Sequence, residues 1–270
     1  MRLVGFLPTA AASVLLTLIA YADPSEPGGA AADRPTAAKS PSTPAPSPEA
    51  RQAAVGALRQ LGVRVEFDES QAAQTVAAVK TKIADADLVH LAALPELESL
   101  DIFGGQITDA GLANLHGLNG LKSLYLRNLP ISDAGLEHLR GLTGLEALTL
   151  SNAKLSGKGL AQLRDLKELR VLNLSGNPIV DSSLVHLKRL PNLNTLVLQD
   201  TKVTGAGLIY LRSVSTLCVL NLTHCRIADF SLAYLEELSD LRMLYLKGCG
   251  VTNVGVRKLY DAIPGLSVYR

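Results

Sequence analysis

The hydrophobic positions of this chain fall into columns that share one interval. Leu100, Leu124, Leu148, Leu172, Leu196, Leu220 and Leu244 are each 24 residues apart, and Val268 continues the series. A second column starts two residues later at Ile102 and runs through Leu126, Leu150, Leu174, Leu198 and Leu222 to Leu246. Further columns run from Leu97 to Leu241, from Ile107 to Val251 and from Leu112 to Val256, and no insertion breaks the register over seven copies. The chain is therefore an array of repeats before it is anything else. Within one copy, Leu172-Asn173-Leu174 alternates with period two, as a strand with one buried face does. Thr108-Asp109-Ala110-Gly111-Leu112 supplies side chains that cap a helix, and Leu112 and Leu115 lie three apart on one helical face. Each copy reads as strand, turn, short helix and turn. One copy alone cannot bury its apolar stripe, whereas stacked copies can.

The two ends depart from the repeat. Ser47-Pro48 has the form of a helix N-cap and first turn, Ala54, Leu58 and Leu61 make one apolar helix face, and Gly62 stops it. Val63, Val65 and Phe67 alternate with Arg64 and Glu66, which predicts a short strand. Val76 lies 24 residues before Leu100, so Thr75 to Val79 is a degenerate first rung. Residues 49–82 are thus expected to form an N-terminal cap with that rung. Residues 83–270 are expected to hold about seven 24-residue units and a terminal strand at Leu266–Arg270. The outer edge of that strand is open to pairing with another chain, with Arg270 as the charge that blunts it.

One copy, Leu169-Arg170-Val171-Leu172-Asn173-Leu174-Ser175-Gly176-Asn177-Pro178-Ile179, resembles the leucine-rich-repeat motif L-x-x-L-x-L-x-x-N/C-x-L. The resemblance covers about residues 73–270. It implies an α/β fold, a right-handed solenoid with a parallel β-sheet on its concave face and short helices on its convex face. It also implies that the ladder position, held here by Asn177, Thr201, Cys225 and Cys249, points inward and bonds the turn backbone. Turns such as ITDAGL and VTGAGL resemble those of bacterial extracytoplasmic proteins with such repeats, which implies a protein partner on the concave face. Similar turns occur in F-box adaptors and related secreted effectors, for which residues 49–72 are short and the leader described next is out of place.

Ahead of the repeats, residues 1–22 carry Arg2, an apolar run from Ala10 to Ala20, and Ala20-Tyr21-Ala22. That is the layout of an export signal cleaved before Asp23. The apolar run is short for a membrane span, although an uncleaved N-terminal anchor stays open. No Cys follows it to take a lipid. Residues 23–48 hold seven of the 13 Pro and no Val, Ile, Leu, Met or aromatic residue, so they read as a disordered linker. The expected location is periplasmic, in the cell envelope or secreted, with no membrane span in the mature chain.

Composition agrees with stacking. Hydrophobic residues make up 47% of the chain but aromatics only 4%, with no Trp, so the apolar weight is one aliphatic side chain used repeatedly. The leader holds one Arg and no acid, and without it basic and acidic residues balance. No charge block points to nucleic acid or an anionic membrane. Three Cys permit one bridge at most. A bridge between Cys225 and Cys249, on adjacent rungs about 4.8 Å apart, is the alternative to buried thiols. Cys218 shares a column with Lys122 and Glu146 and is expected to face solvent.

On each strand the residues between the Leu columns are released from the core. They run Asp101, Tyr125, Thr149, Asn173, Val197, Asn221, Tyr245 in one column and Phe103, Arg127, Ser151, Ser175, Gln199, Thr223, Lys247 in the next. The candidate partner-binding residues are Asp101, Phe103, Tyr125, Arg127, Asn173, Gln199, Asn221, Met243, Tyr245 and Lys247, with aromatic and Arg anchors at both ends of a smooth floor. Asn173-Leu174-Ser175 and Asn221-Leu222-Thr223 match a glycosylation sequon, but both Asn are repeat positions.

A catalytic reading rests on Asp200, His224 and Cys225. Cys225 occupies the inward ladder position and His224 precedes it, so the pair is expected to point apart. His90, His138 and His186 recur every 48 residues, two rungs apart and too far to share a metal. No catalytic, metal or cofactor site is expected. The sequence thus predicts an exported, non-catalytic scaffold. The alternatives are a self-associating envelope component and an adaptor or effector.

Overall fold

The computed structural model describes residues 46–70 and 72–270. The predicted leader, and the predicted linker up to residue 45, lie outside the described residues. From Pro46 the chain forms one unit. Its ten strands are β1 (Arg64–Phe67), β2 (Ala73–Val79), β3 (Ser99–Phe103), β4 (Ser123–Arg127), β5 (Ala147–Ser151), β6 (Val171–Asn173), β7 (Thr195–Val197), β8 (Val219–Asn221), β9 (Met243–Tyr245) and β10 (Ser267–Tyr269). They lie side by side in chain order in one sheet. β1 runs antiparallel to β2, and every later pair is parallel. The register advances by 24 residues per strand, Val76 opposite Leu100, Leu100 opposite Leu124 and finally Val268 opposite Leu244. A shared interval is what lets identical side chains stack in the core, and the Leu columns are fully buried from Leu100 through Leu244.

The return segments are helical, but seven of them, from Asp85–Ala93 to Asp229–Leu235, are 3-10 helices. The sequence explains this. Leu112, Leu115, Leu118 and Leu121 recur strictly every three residues, the period of a 3-10 turn, and all are buried. The last copy breaks the pattern. Its buried residues are Val256, Leu259, Ile263 and Leu266, spaced three, four and three, and there the chain forms the α-helix Asn253–Ala262. The N-terminal α-helix, Pro48–Gln60, begins at Ser47, whose hydroxyl accepts the Ala50 N–H at 3.2 Å.

A left-handed residue follows each strand from β2 to β9. Lys80, Gly104, Asn128, Asn152, Gly176, Asp200, His224 and Gly248 all have positive φ and stand 24 apart. All but Lys80 are Gly, Asn, Asp or His, the residue types that tolerate that region. The turn that follows is tied to the core by the ladder. Asn177 accepts from the Ala153 and Leu155 N–H groups and donates to the carbonyls of Leu150, Leu174 and Ser175. Thr201 donates to Leu198 O at 2.7 Å, Cys225 to Leu198 O at 3.1 Å, and Cys249 to Leu222 O at 3.1 Å.

Two local expectations are corrected. Cys218 is buried, because a thiol is far shorter than the Lys or Arg of its column and Asn194 and Arg242 flank it on the adjacent rungs. Phe67 is 38% exposed although Val63 and Val65 are buried. The register shifts between Glu66 and Phe67, which turns the ring outward beneath the Arg59 guanidinium, 5.6 Å away. All three Cys are free thiols.

Candidate functional site

The sheet face opposite the helices collects the predicted partner-binding residues, and their environments differ. At the front, Arg127 Nη2 donates to both Asp101 carboxylate oxygens at 2.7 Å, and its guanidinium lies 5.4 Å from the centre of the Phe103 ring. Both members of this ion pair are mostly shielded, 14% and 23% exposed. Tyr125 packs beside them, and burial pushes its phenol above the usual value. The front is thus a preorganised aromatic and charged cluster whose charges are already paired.

The middle is a floor of small side chains shielded by their neighbours. Ala147, Thr149, Ser151, Val171, Val197 and Val219 are all buried. Asn173 is buried too, and its side-chain oxygen accepts the Ser175 N–H at 2.9 Å. Asn221 does the same for Thr223. These two predicted contact residues, which are also the sequon residues, are therefore committed to their own turns. Gln199 reaches sideways, its amide donating to Asp200 at 3.0 Å.

At the back, Tyr245 stacks on Tyr269 with ring centres 4.6 Å apart and planes 12° from parallel. The Tyr245 hydroxyl lies 3.8 Å from the Met243 sulfur. Burial raises the Tyr245 phenol, and Tyr269 adds to that. Lys247 is exposed. Tyr269, 48% exposed, was absent from the predicted set. It continues the column of Asp101, Tyr125 and Tyr245, so the register alone would have found it.

The sheet topology, register and ladder bonding are those of stacked leucine-rich copies, and two family profiles agree. One described as "Leucine rich repeat" matches residues 119–179, and another described as "Leucine Rich repeat" matches residues 94–115. The chain carries leucine-rich repeats and folds as a leucine-rich-repeat solenoid. Its fold is similar to that of internalin C2 from Listeria monocytogenes, at 23% identity and a TM-score of 0.53 over 80% of each chain. No curated protein matches it.

The remaining chemistry on this repeat protein is sparse. His224 Nδ1 lies 2.8 Å from Asp200 Oδ1 on the adjacent rung. The Cys225 thiol instead faces the core, bonded to Leu198 O, and burial raises its pKa. His90, His138 and His186 sit half-buried on the outer helices. Among the described residues no three His, Cys, Asp or Glu side chains gather as a metal site. Nor, among them, is any helix long and apolar enough to cross a membrane.

Proposed function

We propose that this protein is an exported, non-catalytic scaffold that recognises a protein partner on the concave sheet face. The observation that carries the reading is the arrangement along that face. Aromatic and charged side chains stand at both ends, the Phe103–Arg127 cluster and the Tyr245–Tyr269 stack, across a floor of small, shielded ones. Rigid aromatics add contact area at little entropic cost, and they are the residues that dominate interface energetics. Export is supported by Arg2, the apolar run from Ala10 to Ala20 and Ala20-Tyr21-Ala22.

The test is capture of partners by the full-length chain from the secreted and envelope fractions of its source. The comparison is a Tyr269→Ala/Lys247→Ala variant, whose changes fall on exposed groups at the end of the sheet. A partner held by wild type and lost by the variant supports the reading. Equal capture by both counts against the back cluster, and equal capture by a Phe103→Ala variant as well counts against the face. The self-association reading keeps one supporting observation, that β10 pairs on one side only among the described residues. It requires a concentration-dependent mass in sedimentation.

A further inference from the structure

The face opposite the sheet carries a pattern that the proposed function does not use. His116, Arg140, Arg164, Lys188 and Arg212 occupy the same position in five successive copies, and all are exposed. No acid interrupts the column until Glu236. A cation near a helix C-terminus is ordinary for one helix. What is not ordinary is the second set of cations that converges on the column's middle. In the cleft between the helices Lys158–Asp165 and Asp181–Arg189, Arg164, Lys167, His186 and Arg189 stand around Ala161 and Asp165. The next cleft along, between Asp181–Arg189 and Gly205–Ser213, sets Lys188, Arg212 and Glu237 beside Val185, Ile209 and Tyr210.

The charges are only partly neutralised. Arg140 and Arg164 share Asp165 at 3.7 Å, and Arg212 pairs with Glu237. Lys188 and Arg189 have no ion pair among the described residues. The Lys167 ammonium is held in place by the carbonyls of Arg164 and Arg189. The row is therefore a ladder of basic side chains, one per rung at roughly 5 Å or a little more, with Arg140, Arg164, Lys188 and Arg212 as its cations. It also carries the carboxylates of Asp165 and Glu237 and one aromatic ring, Tyr210, 37% exposed.

We infer that this convex row binds a linear, carboxylate-bearing polysaccharide laid along the solenoid axis. Each element of the row answers one feature of such a chain. The cations pair with carboxylates repeating at about the interval of a sugar residue. Asp165 and Glu237 accept hydroxyl hydrogens, and Tyr210 offers its face to the C–H side of a ring. A phosphate polymer offers the cations a charge but offers Tyr210 no C–H face of a sugar ring at each step along its backbone, so it is the competing outcome that the test separates. Each exposed pair is weak, so affinity comes from several rungs acting at once and is strongly screened by salt.

The probe is a defined oligogalacturonate titrated against the full-length chain by calorimetry. Dextran serves as a neutral polymer, poly-L-glutamate as an acid without sugar and oligo-dT as a phosphate polymer. The variants are Arg164→Ser/Lys188→Ser/Arg189→Ser and Tyr210→Ala, all at exposed positions and checked for unchanged circular dichroism. The expected result is uronate binding that weakens about tenfold in the triple variant and on raising salt from about 50 to 200 mM. Tyr210→Ala should weaken uronate binding while leaving any residual poly-L-glutamate binding unchanged. Tyr269→Ala/Lys247→Ala, on the sheet face, should leave all of this intact. Absence of salt-sensitive uronate binding overturns the inference. So does an unchanged triple variant, and so does poly-L-glutamate or oligo-dT binding as tightly as the uronate.

Discussion

Gly207→Ser places a hydroxymethyl group where the preceding rung has put a carboxylate. A Cβ at Gly207 would stand 2.5 Å from Asp181 Oδ1 and 3.2 Å from Asp181 Cα. That carboxylate is already engaged, with Oδ1 accepting the Thr204 N–H at 2.7 Å and Oδ2 accepting the Thr204 hydroxyl at 2.6 Å. The same triple recurs as Asp85-Thr108-Gly111, Asp109-Ser132-Gly135 and Asp229-Thr252-Gly255, while at Asp133-Ser156-Gly159 a Cβ would meet the Asp133 backbone carbonyl instead. At two interfaces the pattern inverts. Gly157 and Gly205 replace the Asp, Val180 and Ala228 replace the hydroxyl residue, and Ser183 and Ser231 fill the space, each 2.4 Å or less from the missing Cβ. A side chain fills the gap from one rung or from the other, never from both. Displacing Asp181 costs part of two hydrogen bonds to a charged group, each about 1.5–3 kcal/mol when fully made. For a half-buried site we expect a loss of about 2–3 kcal/mol, or a fall of roughly 0.7–1 M in the urea midpoint at an m-value of about 3 kcal/mol/M. The triple variant Asp181→Gly/Thr204→Ala/Gly207→Ser rebuilds the inverted interface and should recover to within about 1 kcal/mol of wild type. If Gly207→Ser alone melts like wild type, or if the triple variant is no better than the single, the lock between rungs is not what the geometry says it is.

Three further outcomes follow from the same structure. Burial works against the Asp133 charge, but the Ser156 hydroxyl and the N–H groups of Gly159, Ser156 and Gly157 outweigh it and hold its pKa below the ordinary value. Its stabilisation is therefore complete above the unfolded value near ~3.9 and is lost as pH falls through the folded one. Asp133→Asn should lower the plateau of urea midpoint against pH and flatten its acid limb, and an unchanged limb would contradict this. Asn177→Ala removes five hydrogen bonds to a buried turn and should cost about 3–5 kcal/mol, read from the same denaturation curves. Burial is the first cause that raises the thiols of Cys218, Cys225 and Cys249, so none should react with a neutral thiol reagent at pH 7 until urea unfolds the chain, as followed by absorbance.

Most of the architecture was readable because a single interval of 24 residues governs it, so columns in the sequence become stacks in the core. The helix type was also present in the spacing, at three residues per step in Leu112, Leu115 and Leu118, but a reading by pairs does not separate 3-10 from α. The candidate site was harder to read. That Arg127 points to the sheet face follows from its column, whereas its commitment to Asp101 depends on a diagonal contact between neighbouring strands. Asn173 and Asn221 look like free amides in sequence, yet each bonds an N–H two residues on. The row from His116 to Arg212 escapes any search for charge runs, because its members are 24 residues apart and become neighbours only when the copies stack.

The central claim, that this solenoid recognises a partner on its sheet face, is tested most directly by site-specific photocrosslinking. A photoreactive residue is placed in turn at Lys247 and Thr223 on the sheet face, and at Ala233 and Arg257 on the helical face, and the chain is irradiated in the secreted and envelope fractions in which the proposed function places its partner. The account predicts a discrete protein adduct from the sheet-face positions and none from the helical ones. Protein adducts only from Ala233 or Arg257 would contradict it.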